Sequence, residues 1–113
     1  MQKYLLWGAM GLVSLVMVMG GVMKLTGQEM ALASFSTLGL PVWFGMFIGV
    51  CELAGAAGLW VKRTSALAAL GIALIMIGAI YYHVMHTPLS EGVPAIVVLV
   101  LCGFIILRRR AGA

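Results

Sequence analysis

The chain has 113 residues, 64% of them hydrophobic and only 9% charged, with a net charge of +4. A soluble domain carries about a quarter charged residues, so this composition excludes a water-soluble fold and predicts one integral membrane domain over residues 1–113. The basic residues stand at the ends of apolar runs rather than in a patch, which excludes nucleic acid and leaves the lipid bilayer as the first partner.

The first predicted span covers about residues 4–23, between Lys3 and Lys24. Its apolar run is too long for a signal peptide, and no A-x-A site ends it. Gly8, Gly11, Ser14, Gly21 and Lys24 fall broadly on one side at helical spacing. Small residues there let a neighbouring helix approach closely. Ser14 is expected near mid-membrane depth.

Residues 24–41, KLTGQEMALASFSTLGLP, form a polar break. It holds Lys24, Gln28 and Glu29. A short amphipathic helix or loop follows, with Met30, Ala33, Phe35 and Leu38 as apolar contacts. Pro41 stands where a missing N–H costs little, at the start of the next helix.

The second span, about 42–60, contains WFGMFIGVCELAGAAGLW at 43–60. At about 1.5 Å per residue this run is about 27 Å long, close to the thickness of a bilayer core. Tryptophans at both ends suit the interface. Glu52 lies near the middle, where a charged carboxylate costs about 2.5–3.5 kcal/mol on insertion scales. Either Glu52 is neutral, or it faces a partner or a wet cavity. The plainer alternative is a protonated glutamate that hydrogen-bonds across a helix interface. Gly45, Gly49, Glu52 and Ala56 follow at i, i+4, i+7 and i+11, so the acid shares a small-residue stripe and is expected to face another helix. The same G-x-x-x-G marks either a homodimer seam or a contact within one molecule.

After a basic turn at 61–65, the third span runs over about 66–84. Gly71, Gly78 and Tyr82 make one stripe; Ile72, Met76, Ala79 and His83 make its neighbour. Tyr81, Tyr82, His83 and His86 crowd the far end. A polar loop at 87–92 contains Pro88 and Glu91. The fourth span, about 93–107, has Pro94 in its first turn and closes on Arg108, Arg109 and Arg110. Alternating crossings place Lys3, Lys62, Arg63 and the three arginines on one side and Lys24 alone on the other. The positive-inside rule then puts both termini in the cytoplasm. Short turns between antiparallel spans predict an all-α transmembrane antiparallel four-helix bundle.

Little here suggests catalysis. No nucleophile constellation, phosphate loop or dinucleotide motif is present, and Ser14, Ser34, Ser36, Ser65 and Ser90 have no neighbouring base. No catalytic residue is assigned. His83 and His86, at i and i+3, suit a metal pair, but no further Cys, Asp or Glu follows at ligand spacing, so no metal is expected. Cys51 and Cys102 lie inside apolar runs and read as small packing groups. The deep acid and the outer polar residues predict a funnel, with Glu52 at its floor and Lys24, Tyr82 and His83 at its mouth. Ser14, Gly45, Gly49 and His86 are secondary members. Helix rise places Lys24 about twice as far from the cytoplasmic edge as Glu52, so direct contact requires a deeper start of the second span or an inward-reaching lysine.

GGVMKLTG at 20–27, LGLP at 38–41, IGVCELAGAAGLW at 48–60 and GAIYYHVMH at 78–86 together resemble the DoxX family of small four-span bacterial membrane proteins. The resemblance covers nearly the whole chain. It implies the bacterial inner membrane and maps the family's polar positions onto Lys24, Glu52 and His83. The family is similar in layout to the vertebrate chaperone that helps nicotinic acetylcholine receptors assemble. Some members are subunits of quinol oxidase or thiosulfate:quinone oxidoreductase. Two readings follow from it. One is a non-catalytic accessory or assembly module that binds other membrane proteins or itself. The other is a quinone-linked redox subunit, with a quinone or lipid as the bound molecule. No haem-ligating histidine pair lies deep in a span, which argues against electron transfer by this chain alone.

Overall fold

The computed structural model describes residues 2–27, 29–86 and 88–110. Helices α1 (Gln2–Leu25), α2 (Glu29–Thr37), α3 (Val42–Leu59), α4 (Ser65–His86) and α5 (Val93–Arg110) follow in order, with a 3-10 turn, Leu89–Gly92, before α5. No strand occurs among the described residues. The expectations for Gln28 and Thr87 lie outside the described residues, as do those for the side chains of Met30, Ser34, Glu91 and Arg110.

Glycine chemistry sets the helix ends. Gly27 has φ +78° and closes α1, its N–H donating to Lys24 O at 3.2 Å. Thr26 Oγ1 also turns back to Val22 O at 2.8 Å. Helix α2 ends in a Schellman arrangement around Gly39, φ +76°. Gly39 N–H donates to Ser36 O at 3.0 Å and Leu40 N–H to Phe35 O at 2.8 Å. Pro41, extended at φ −71° and ψ 157°, then starts α3. The turn between α3 and α4 is held by Thr64, whose Oγ1 donates to Gly58 O at 2.9 Å.

Helix α1 packs chiefly on α3 and α4 chiefly on α5, while α3–α4 and α5–α1 contacts close the ring. Ser14 meets Trp60 and Gly21 meets Gly49, so α1 and α3 run antiparallel. Ser65 meets Arg109 and His83 meets Gly92, so α4 and α5 do too. The inner face of α1 is Leu6, Met10, Val13 and Met17, at i, i+4, i+7 and i+11. With Ile72, Met76, Val98, Cys102 and Ile105 they form the core.

The expected glycine stripe of α1 is corrected here. A Cβ at Gly8 or Gly11 would meet nothing within 4 Å. Both lie off the face that Leu6, Met10, Val13 and Met17 occupy. Close approach is made by Gly21, a member of the expected stripe, and by Gly20, which is not; they continue that face by one more turn. On α4, Ile72 and Met76 face inward, while Gly71 and Gly78 are exposed.

Outside this core the surface is apolar. Leu15, Met19, Trp43, Phe47, Leu67, Leu74, Ile77 and Val100 are all more than half exposed. In water such a surface would drive aggregation, whereas in hydrocarbon it needs no cover. Three helices, Lys3–Leu25, Val42–Leu59 and Ser65–His86, are long and apolar enough to cross a membrane. Helix α5 is as long as α3 but ends in three arginines. The longest dimension, 42 Å, matches a bilayer with its headgroups, about 40–45 Å.

Candidate functional site

Glu52 belongs to the buried stripe of α3, with Gly45, Gly49, Ala56 and Leu59. Its spacing from Gly49 and Ala56 turns it toward α1. It is 3% exposed. Lys24 Nζ lies 2.7 Å from Glu52 Oε1, with the lysine side chain 16% exposed. At this distance the ammonium and the carboxylate are in direct contact.

Three glycines make the pair sterically possible. A Cβ on Gly20 would stand 2.8 Å from Glu52 Oε2 and 3.6 Å from Lys24 Nζ. Gly20 therefore vacates the space the carboxylate fills. A Cβ on Gly21 would meet Leu53 Cγ at 2.7 Å and Gly49 O at 2.9 Å. One on Gly49 would meet Lys24 Cβ at 3.0 Å and Gly21 O at 3.1 Å. Here α1 and α3 touch backbone to backbone.

The contacts also settle the depth problem. Lys24 sits level with Gly49, not with the start of α3. Helix α3 thus begins about two turns beyond the level of Lys24, and the lysine stem bridges the remaining turn inward to Glu52. The lysine reaches inward, as one alternative requires, but α3 starts farther out than Lys24 rather than deeper.

Gly45 is covered from another direction. A Cβ there would stand 2.6 Å from Leu32 Cδ2 and 3.2 Å from Phe35 Cδ2. Helix α2 therefore folds onto the beginning of α3, and Phe35 meets Phe44 edge-on at 6.0 Å. Gly45 and Gly49 are both occupied within the chain, the first by α2 and the second by α1.

Among the remaining expected members, Ser14 is displaced. Ser14 is not level with Glu52. Its Oγ accepts a hydrogen bond of 2.8 Å from Trp60 Nε1, at the end of α3. Antiparallel packing brings the middle of α1 to that end. Tyr82, His83 and His86 gather at the end of α4. The Tyr82 ring lies 5.4 Å from His83 and 5.3 Å from His86. His83 rests against Gly92, where an added Cβ would come 3.1 Å from His83 Cβ. No group of three metal-ligating side chains occurs among the described residues.

Two features escaped the sequence reading. Gly20 lies one turn before Lys24 on the same face, a spacing that signals room for the acid. At the opposite end, Arg109 Nε donates to Ser65 Oγ at 3.1 Å and Nη2 approaches Met10 Sδ at 3.5 Å, tying α5 to α4 and α1. Ser65 is fully buried.

The fold and this site define an all-helical integral membrane protein whose first two long helices are joined by a buried ion pair. The chain belongs to the DoxX-like family, whose model matches residues 8–105, a span that includes Lys24, Glu52 and His83. Comparison with curated proteins and with solved structures gave no match in either case.

Proposed function

We propose that this chain is a non-catalytic accessory or assembly module of the bacterial inner membrane. Its long helices form an antiparallel four-helix bundle with both termini in the cytoplasm. Lys3, Lys62, Arg63, Arg108 and Arg109 mark the cytoplasmic end by the positive-inside rule.

The observation that carries this reading is the closed Lys24–Glu52 pair. A carboxylate that exchanges protons with a quinol must come within hydrogen-bond reach of the quinol head. Glu52 is 3% exposed and already faces Lys24, with Gly20 beneath Oε2. This arrangement supports a lock between α1 and α3 better than an open pocket. Buried ion pairs of this kind serve best as registry devices. Tyr82 and His83 are residues through which the outer end would meet a partner, while Lys24 and Glu52 hold α1 to α3. Catalysis is assigned to none of them.

The test is extraction in polymer nanodiscs, without detergent, from cells that express or lack the chain. The expected result is that a co-migrating membrane complex loses assembly in the deletion. Wild type restores it; Glu52→Gln, which opens the lock, does not. Stoichiometric quinone in the extracted wild type, lost in Glu52→Gln, would overturn this reading in favour of a quinone-linked subunit.

A further inference from the structure

A groove of about 450 Å³ runs between α1 and α5, away from the ion pair. Tyr4, Gly8 and Leu12 line it from α1, and Leu101 and Phe104 from α5. The missing side chain at Gly8 keeps it open, since a Cβ there would meet nothing within 4 Å. Its walls are almost wholly apolar.

Its mouth is basic. Arg108 lies four residues beyond Phe104 and seven beyond Leu101, so it shares their face of α5. A helical side chain covers the turn N-terminal to its own Cα, which directs Arg108 back over Phe104. Arg108 Nε is buried and has no hydrogen-bond partner. A buried guanidinium N–H without an acceptor is uncommon and invites one. On the other wall, Lys3 adjoins Tyr4 and holds its Nζ 4.9 Å from the Trp7 ring. Tyr4 and Trp7 meet edge-on at 5.8 Å, an aromatic pair suited to the headgroup level. The acids that would neutralise this end are elsewhere in the chain. Glu52 is paired with Lys24, and Glu29 and Glu91 fall in the segments that follow α1 and α4.

We propose that the α1–α5 groove is a binding site for an anionic phospholipid, with one acyl chain along Gly8 and Leu101 and the phosphate at Arg108 and Lys3. An apolar channel beside a guanidinium that has an N–H to spare matches one amphiphile: a hydrocarbon tail joined to a negative headgroup. The Arg108 fork supplies the phosphate donors, and the Tyr4–Trp7 pair sets the headgroup level.

Native mass spectrometry of the purified full chain tests this with phosphatidylglycerol and phosphatidylcholine of identical acyl chains. Wild type is expected to retain phosphatidylglycerol at least fivefold over phosphatidylcholine, since each basic residue near the surface contributes about fivefold. Arg108→Gln is expected to remove about that factor and leave phosphatidylcholine retention unchanged. Gly8→Leu starts from a Cβ with nothing within 4 Å and sends its branch into the groove, and is expected to lower retention of both lipids with helix content preserved. Equal retention of the two lipids by wild type would overturn the proposal. So would an undiminished preference in Arg108→Gln, or unchanged retention in Gly8→Leu. A dimer that forms in place of the lipid adduct and is abolished by Gly8→Leu would assign the groove to a second copy, and would also overturn it.

Discussion

Lys24 enters beside Gly49 and meets Glu52 one turn deeper, so a residue at the rim of α1 neutralises an acid near the centre of α3. The relationship depends on Gly20 and Gly21, which let the two backbones approach closely enough for the lysine stem to span the gap. It converts a costly intramembrane carboxylate into half of a helix–helix contact.

Removing either partner leaves the other charge buried and alone. Glu52→Gln and Lys24→Met are each expected to destabilise the fold by about 3–5 kcal/mol. Lys24→Met combined with Glu52→Leu should recover most of the loss, because a packed apolar pair replaces a buried ion pair at little cost. Unfolding titrations in bicelles over this double-mutant cycle measure the coupling. Additive single and double losses would show that the two side chains do not act together.

The glycines of α1 should separate into two classes. Gly21→Ala sets a Cβ 2.9 Å from a backbone oxygen that cannot move aside, with an expected cost of about 1–3 kcal/mol. Gly20→Ala drives the Glu52 carboxylate away from Lys24 and should lose part of the coupling measured above. Gly11→Ala meets nothing, and is expected to be neutral or to stabilise by up to about 1 kcal/mol through helix propensity. The same unfolding titration ranks the three.

Trp60 and Ser14 tie the end of α3 to the middle of α1. Ser14→Ala and Trp60→Phe should each cost little, with a coupling of about 0.6 kcal/mol, the average for hydrogen bonds between membrane helices. Arg109→Met should cost more, about 1.5–3 kcal/mol, because it removes a charged donor from the buried Ser65. Thermal unfolding of the variants in one lipid composition gives the order.

Topology has its own test. In a background with Cys51 and Cys102 replaced by alanine, Lys62→Cys should resist a membrane-impermeant maleimide in intact cells. Ser36→Cys, exposed at the end of α2, should react. The reverse pattern would invert the proposed orientation.

Much of the arrangement was legible from residue order. Apolar runs of bilayer length, broken by 24–41, 61–65 and 87–92, mark where helices begin and end. Glycine and proline mark the ends of α1 and α2, because only glycine adopts the left-handed turn without strain and proline cannot continue a helix. The i, i+4, i+7, i+11 stripe through Gly45 and Glu52 turned the acid toward a neighbouring helix, since side-chain direction follows from helical period alone.

Register was not legible. Periodicity says which face a residue occupies, not which level it meets on another helix. Ser14 and Glu52 seemed level when each was counted from its own helix end, yet α3 overshoots the end of α1, and Ser14 finds Trp60 instead. The same offset carries Lys24 to Glu52. Tyr82, His83 and His86 gather at the end of α4. Helix content, membrane residence and the inward acid are local consequences of composition and spacing. The identity of the acid's partner arises from packing between helices, where glycine contacts set the sliding position and no short-range rule reaches.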